Sequence, residues 1–277
     1  MELSNYKNEK YDIIVLAGQS NAEGYGIGGS VPPWQEDERI DLMTGELQAE
    51  VRQTAYGNDY LSLQVGDEYT IERANERVVD GKKISFLALP FARAYANEYL
   101  EKGRKLLIIQ TAVGGTGFAK HHWGEGDLLC ERMLKMVKEA LSLNEENKVV
   151  AVLWHQGEHD AFENAEWDNE KRHLEHIKNL TRFIQIVREN FGGVAFVCAG
   201  FTKAWVEQYP EQNQAVLSAI KTVCEQVGNA SFIEKTDDLS TNDDLVKNGD
   251  YVHFSRDSIE ILGERYFNAY KNLQKCE

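Results

Sequence analysis

Apolar residues fall along the chain in two alternating patterns. Continuous β-rich runs occur at 13–17, 84–89, 106–110, 149–154 and 194–199, with a weaker sixth at 230–233. Such runs suit strands covered on both faces, as in a parallel sheet. Between and after them, apolar positions recur three and four residues apart, the period of a helix with one buried face. Over 168–190 that face carries Leu174, Ile177, Leu180, Phe183, Ile184 and Val187, opposite His173, Glu175, Lys178, Arg182 and Arg188. The stretch 128–141 repeats the pattern through Leu129, Met133, Met136, Val137 and Ala140, and 91–100, 212–227 and 255–273 follow it. Strand alternating with helix predicts an α/β sandwich with right-handed crossovers.

Residues 25–83 break this rhythm. Pro32-Pro33 and scattered glycines mark loops, 68–79 contains some alternation, and Asp80-Gly81 is a hairpin turn signal. The segment reads as an insertion of loops and short strands, of the kind that shapes a pocket. The whole chain of 277 residues then reads as one large domain. Composition is that of a globular protein, with 42% hydrophobic and 27% charged residues. The net charge of −15 makes nucleic acid and anionic lipid poor partners. Cys130, Cys198, Cys224 and Cys276 lie far apart, which suits small buried hydrophobes in a reducing compartment. No stretch has the apolar length of a membrane span, and no signal peptide is visible at the N-terminus, so the expected location is cytoplasmic. The sequence leaves the oligomeric state open.

Four segments carry candidate chemistry, each after a different predicted strand or before the last helix. Gly18-Gln19-Ser20-Asn21 follows the first strand and could present Ser20 as a nucleophile, although serine is also a common helix cap. Thr111-Ala112-Val113-Gly114-Gly115-Thr116-Gly117 could bring a bare backbone N–H to a reacting carbonyl; the plainer reading is a Gly-rich turn. In His155-Gln156-Gly157-Glu158-His159-Asp160, Gln156 could donate to an oxyanion and Glu158 could serve as an acid partner. Asp250-Tyr251-Val252-His253 could pair an aspartate with an imidazole Nδ1, freeing Nε2 as a base. Strand ends of a parallel sheet face one edge, so these loops would converge. Two other patterns are set aside. His155-x-x-Glu158-His159 matches an inverted zinc-protease motif but follows a strand and is interrupted by Gly157, and His121-His122 does not complete it. Gly24-Tyr25-Gly26-Ile27-Gly28-Gly29 lies too far from its strand for a dinucleotide loop. No metal or cofactor is expected.

Together these blocks resemble the SGNH hydrolase superfamily, in the branch of carbohydrate esterase family six (acetyl xylan esterases) and sialate O-acetylesterase-like domains. Trp154, Phe254-Ser255 and Ile261-Leu262-Gly263-Glu264-Arg265-Tyr266 extend the likeness, which runs from residue 11 to about 270. The resemblance implies a three-layer α/β/α sandwich around a central, mostly parallel five-stranded sheet, the flavodoxin-like fold. It implies Ser20 as nucleophile, His253 as base, and Ser20 N–H, Gly115 N–H and the Gln156 side chain as oxyanion donors. Asp250 is the favoured acid partner, with Glu158 as a second carboxylate near the imidazole. Gln19, Asn21 and Trp123 are expected to help bind substrate, and Trp34 and Trp205 are further candidates for stacking on a sugar. The implied substrate is an acetylated carbohydrate, either xylan-derived or an O-acetylated sialic acid, cleaved through an acetyl-enzyme. A lipase or thioesterase on the same fold and a non-catalytic carbohydrate-binding protein are the alternatives. The segment 44–83 is longer and more polar than the family pattern, which bears on pocket shape.

Overall fold

A computed structural model describes residues 3–54, 57–79, 81–162 and 167–275. In chain order the strands are β1 (Tyr11–Gly18), β2 (Ile40–Thr54), β3 (Gly57–Arg73), β4 (Arg77–Val79), β5 (Lys82–Ile84), β6 (Lys105–Gln110), β7 (Lys148–His155), β8 (Ala195–Ala199) and β9 (Ala230–Ile233). The main sheet has seven strands in the order β3-β2-β6-β1-β7-β8-β9. The five from β6 to β9 are parallel, as expected. The other two come from the 25–83 segment. The first four residues of β2 pair parallel with β6, and β3 returns antiparallel along β2. That segment therefore widens the sheet with two long strands instead of carrying only short ones. β4 and β5 form a separate hairpin; Asp80 of its turn lies outside the described residues, as does Cys276.

β1 shows why the strand runs are continuously apolar. Ile13, Val15 and Ala17 face one core and Ile14 and Leu16 the other, all fully buried. The first core is closed by α3 (Leu128–Ser142), α4 (Asn169–Phe191) and α6 (Pro210–Gln226), through Met133, Phe183 and Val216. The second is closed by α2 (Ala88–Glu98) and α8 (Arg256–Gln274), through Phe91 and Leu262. The result is three layers. Local signals set the helix ends: Asp168 caps α4 through Lys171 N–H, Pro210 opens α6, and Ser255 caps α8 through Ser258 N–H.

Two expectations change. The run 84–89 is not a sheet strand; Ile84 ends β5 and Ala88 begins α2. Pro90 fits the first turn of a helix, where its missing N–H costs nothing, and this helix is apolar enough to read locally as a strand. On α4, Leu174 is 56% exposed, whereas the polar His176 is buried against Asp160. No helix of the described residues is long and apolar enough to cross a membrane.

Candidate active site

β1 lies between β6 and β7, so the strand order reverses beside it, and the crevice past the strand ends opens there. Gly18 closes β1 with φ of +124°, and a Cβ at that position would stand 2.1 Å from the carbonyl oxygen of His155. Glycine is therefore required for β1 to run this close to β7. Gln19 N–H donates to the same carbonyl at 2.9 Å, and Ser20 starts the single-turn helix α1 (Ser20–Glu23). Ser20 opens onto a cavity of about 140 Å³. Tyr25, Gly115, Glu158, Trp205 and His253 share its wall.

His253 is paired with Asp250. Its Nδ1 lies 2.9 Å from each Asp250 carboxylate oxygen, and its N–H donates to Oδ1 at 3.2 Å. With Nδ1 engaged, Nε2 is the nitrogen left for proton transfer. Burial alone would raise the Asp250 carboxyl; hydrogen bonds from His253 and Asn242 outweigh it and hold the group below its ordinary value. Asn242, at the start of α7 (Asn242–Val246), donates to Asp250 Oδ2 at 2.8 Å and to the Tyr25 carbonyl at 2.9 Å. Its Oδ1 accepts from Ile27 N–H and its own N–H donates to the His253 carbonyl. The Tyr25 ring stacks on the His253 ring, with centroids 4.7 Å apart and planes at 17°.

Glu158 is also buried beside the cavity, but its bonds go elsewhere. Oε1 accepts from Asn21 Nδ2 at 2.7 Å and lies 3.3 Å from His155 Nε2. Burial would raise this carboxyl; the His155 ring and the Asn21 amide outweigh it and lower it. His155 Nδ1 donates to the Tyr266 hydroxyl at 3.0 Å, since that hydroxyl itself donates to the Trp154 carbonyl. The imidazole expected to face two carboxylates thus meets Asp250, and Glu158 meets a different histidine.

Unpaired backbone N–H groups lie beside Ser20. Among the described residues, neither Ser20 N–H nor Gly115 N–H is hydrogen-bonded, whereas Gly114 N–H donates to Glu23 Oε2 at 2.6 Å. Gly115 has φ of +70°, which turns its peptide relative to that of Gly114. The side-chain donor expected from Gln156 is directed away. Its Nε2 donates to Asp160 Oδ2 at 3.0 Å and approaches the Thr116 carbonyl at 3.4 Å, and the side chain is absent from the cavity wall.

The three residues expected to bind substrate are placed differently. Gln19 reaches the cavity, but its Oε1 accepts from Gly157 N–H and His159 N–H at 3.3 and 3.2 Å and so holds the loop after β7. Asn21 is buried with its amide fully used: Nδ2 also donates to the Val252 carbonyl, and Oδ1 accepts from Phe254 N–H. It brackets His253 from both sides in sequence and fixes the loop, so its side chain serves the fold and not a substrate. Trp123 is fully buried, edge-on to Trp154 and Phe183, with its N–H on Thr116 Oγ1. No substrate can reach it. Trp34 lies under Arg93, away from the cavity. Trp205 alone of the three candidate tryptophans reaches the cavity, on α5 (Lys203–Gln208), backed by Phe162 and Tyr209 at 5.0 and 5.2 Å.

Among the described residues no group of three metal-ligating side chains forms a cation site. His122 of the histidine doublet is half-buried, and this desolvation lowers its imidazole; its Nδ1 accepts from Gly117 N–H. Tyr25 and Asn242 were not singled out by the sequence. Tyr25 lies inside the glycine-rich segment set aside as a dinucleotide loop, and Asn242 lies in a polar stretch with no motif.

Known proteins agree with this architecture. Residues 10–272 match the family described as carbohydrate esterase, sialic acid-specific acetylesterase. A curated relative from Escherichia coli (strain K12), a probable 9-O-acetyl-N-acetylneuraminic acid deacetylase, is 21% identical over 273 residues, 83% of each chain. The crystal structure of NanS superposes with a TM-score of 0.71 at 17% identity, covering 98% of this chain and 99% of that one. A protein from Arabidopsis thaliana gives 0.68 at 20% identity, covering 95% and 98%. At these identities the two structures establish the fold.

Proposed function

The chain belongs to the sialic acid-specific acetylesterase family of carbohydrate esterases and removes O-acetyl groups from carbohydrates, and we propose that it does so through Ser20, His253 and Asp250. Ser20 Oγ attacks the acetyl carbonyl while His253 Nε2 takes its proton. Asp250 holds the imidazole through Nδ1 and stabilises the imidazolium that forms. The negative oxygen of the tetrahedral intermediate is held by Ser20 N–H and Gly115 N–H. His253 then protonates the departing sugar oxygen. Water, activated by the same imidazole, releases acetate from the acetyl-enzyme.

The observation that carries this reading is the convergence on one cavity of Ser20, an aspartate-bound imidazole, and two unpaired backbone donors from separate strand ends. The preferred substrate is an O-acetylated sialic acid, because both the family and the E. coli relative are described by that sugar. Trp205 offers a face for the ring. The test is Ser20→Ala assayed on p-nitrophenyl acetate and on 9-O-acetylated sialic acid. Loss of both activities with an unchanged melting temperature is expected. Wild-type turnover by that variant would defeat the mechanism. Nucleophile, base and donors are all protein groups, so a chelator should leave the rate unchanged.

A further inference from the structure

We propose that the phenolic O–H of Tyr25 is the side-chain donor of the oxyanion hole, in place of the Gln156 amide. The inference rests on Ser20 being the nucleophile.

The position comes from Gly114. A Cβ built on Gly114 would stand 3.1 Å from Glu23 Oε2, which accepts from Gly114 N–H, 3.3 Å from Ser20 Cβ and 3.5 Å from the Tyr25 hydroxyl oxygen. The phenol and the nucleophile thus flank the same face of the loop that supplies Gly115 N–H. All three groups line one cavity. Among the described residues the Tyr25 hydroxyl has no protein hydrogen-bond partner, so it can donate into the cavity without giving up a bond within the fold. Tyr25 is 36% exposed at the cavity mouth; partial desolvation of the phenol, with Glu23 adding to it, raises it above its ordinary value, so it is protonated, as a donor must be.

The ring is held where this role needs it. One contact is the stack on His253. Another is Arg77, whose guanidinium lies 5.9 Å from the ring centroid. Arg77 is itself anchored by Glu23 Oε1 at 3.0 Å and the Gly24 carbonyl at 2.6 Å. The Tyr25 carbonyl is fixed by Asn242. Preorganisation of this kind makes a donor effective, because nothing has to reorient as charge develops. Gln156 fails the same criterion: its amide hydrogens are engaged by Asp160, Thr116 and Gln19 Oε1, and its side chain is absent from the cavity wall.

Tyr25→Phe keeps the ring and its stack on His253 and deletes only the O–H. On p-nitrophenyl acetate, which has no sugar to bind, kcat should fall by about 100-fold with KM within about twofold, as for other oxyanion donors. The inhibition constant of an alkylboronic acid, which forms a tetrahedral adduct on the serine, should weaken by a similar factor. The melting temperature should not change. A kcat within about twofold of wild type, or a change confined to KM, would overturn the proposal. Ser20→Ala run in parallel separates the two claims. If it is inactive while Tyr25→Phe is normal, only the donor assignment falls. If it is active, the serine mechanism falls with it.

Discussion

Asn242 spends every polar group of its side chain and its own N–H on the loops that carry Tyr25, Asp250 and His253. The residue scale therefore has a clear order of dependence: Asn242 and Asn21 fix the loops, and Asp250 fixes the imidazole. This order favours Asp250 over Glu158 as the proposed acid partner of His253. Asp250→Asn keeps the shape and gives the imidazole the wrong partner; kcat should fall by about 10⁴, as when a triad aspartate is amidated. Glu158→Gln leaves the His253–Asp250 pair untouched, and its kcat should stay within about tenfold of wild type. Steady-state rates at pH 8 for the two variants check this, and the reverse ranking would return the acid role to Glu158. The sequence displayed Ser20, His253 and Asp250 because each sits in a short motif at a predicted loop. It did not display Asn242 or Tyr25, whose importance arises from contacts across 217 residues of chain, which no local spacing encodes.

At the scale of elements, the loop after β7 is held by Asp160. Its carboxylate accepts from Phe118 N–H, Ala119 N–H and Gln156 Nε2, and it lies 3.4 Å from His176 Nδ1 on α4. Burial would raise this carboxyl, but the His176 ring and these donors outweigh it, so the folded value lies below the ordinary 3.8. A depressed carboxyl stabilises the fold above its unfolded pKa and loses that contribution as pH falls through the folded one. Asp160→Asn should cost about 3 kcal/mol at pH 7. The gap in melting temperature to wild type should narrow below about pH 4. A gap that is constant from pH 7 to pH 3 would show that the charge of Asp160 is not what holds the loop. The elements around this loop are legible where one pattern dominates: β7 as an apolar run and α4 as an amphipathic helix over 168–190. They were misread where two patterns compete. The run 84–89 is apolar enough for a strand yet begins α2, and His176 occupies a buried slot on α4 that hydrophobic periodicity assigns to no polar residue.

For the whole molecule, the least legible part is the antiparallel β2–β3 pair, because its strands are mostly polar and lack the continuous apolar run that marks the other strands. Its reach matters to the site: the Tyr60 hydroxyl donates to the Gly114 carbonyl at 2.6 Å, tying the widened sheet to the loop that supplies Gly115 N–H. Tyr60→Phe should cost about 1 kcal/mol of stability, the net worth of one neutral hydrogen bond.

The net charge of −15 acts on the same site from a distance. The field of an acidic molecule disfavours the approach of anions and has no such effect on neutral molecules, and salt screens it over about 10 Å at 0.1 M. A sialic acid carries a carboxylate, whereas p-nitrophenyl acetate is uncharged. Raising ionic strength from about 10 mM to about 500 mM should therefore raise kcat/KM for 9-O-acetylated sialic acid severalfold and leave that for p-nitrophenyl acetate nearly unchanged. The neutral ester acts as the internal control, since the proposed chemistry at Ser20 is the same for both esters. A flat salt dependence for the anionic sugar would mean that local groups at the cavity mouth cancel the global field. Equal rises for both esters would place the salt effect in the chemistry instead of the approach.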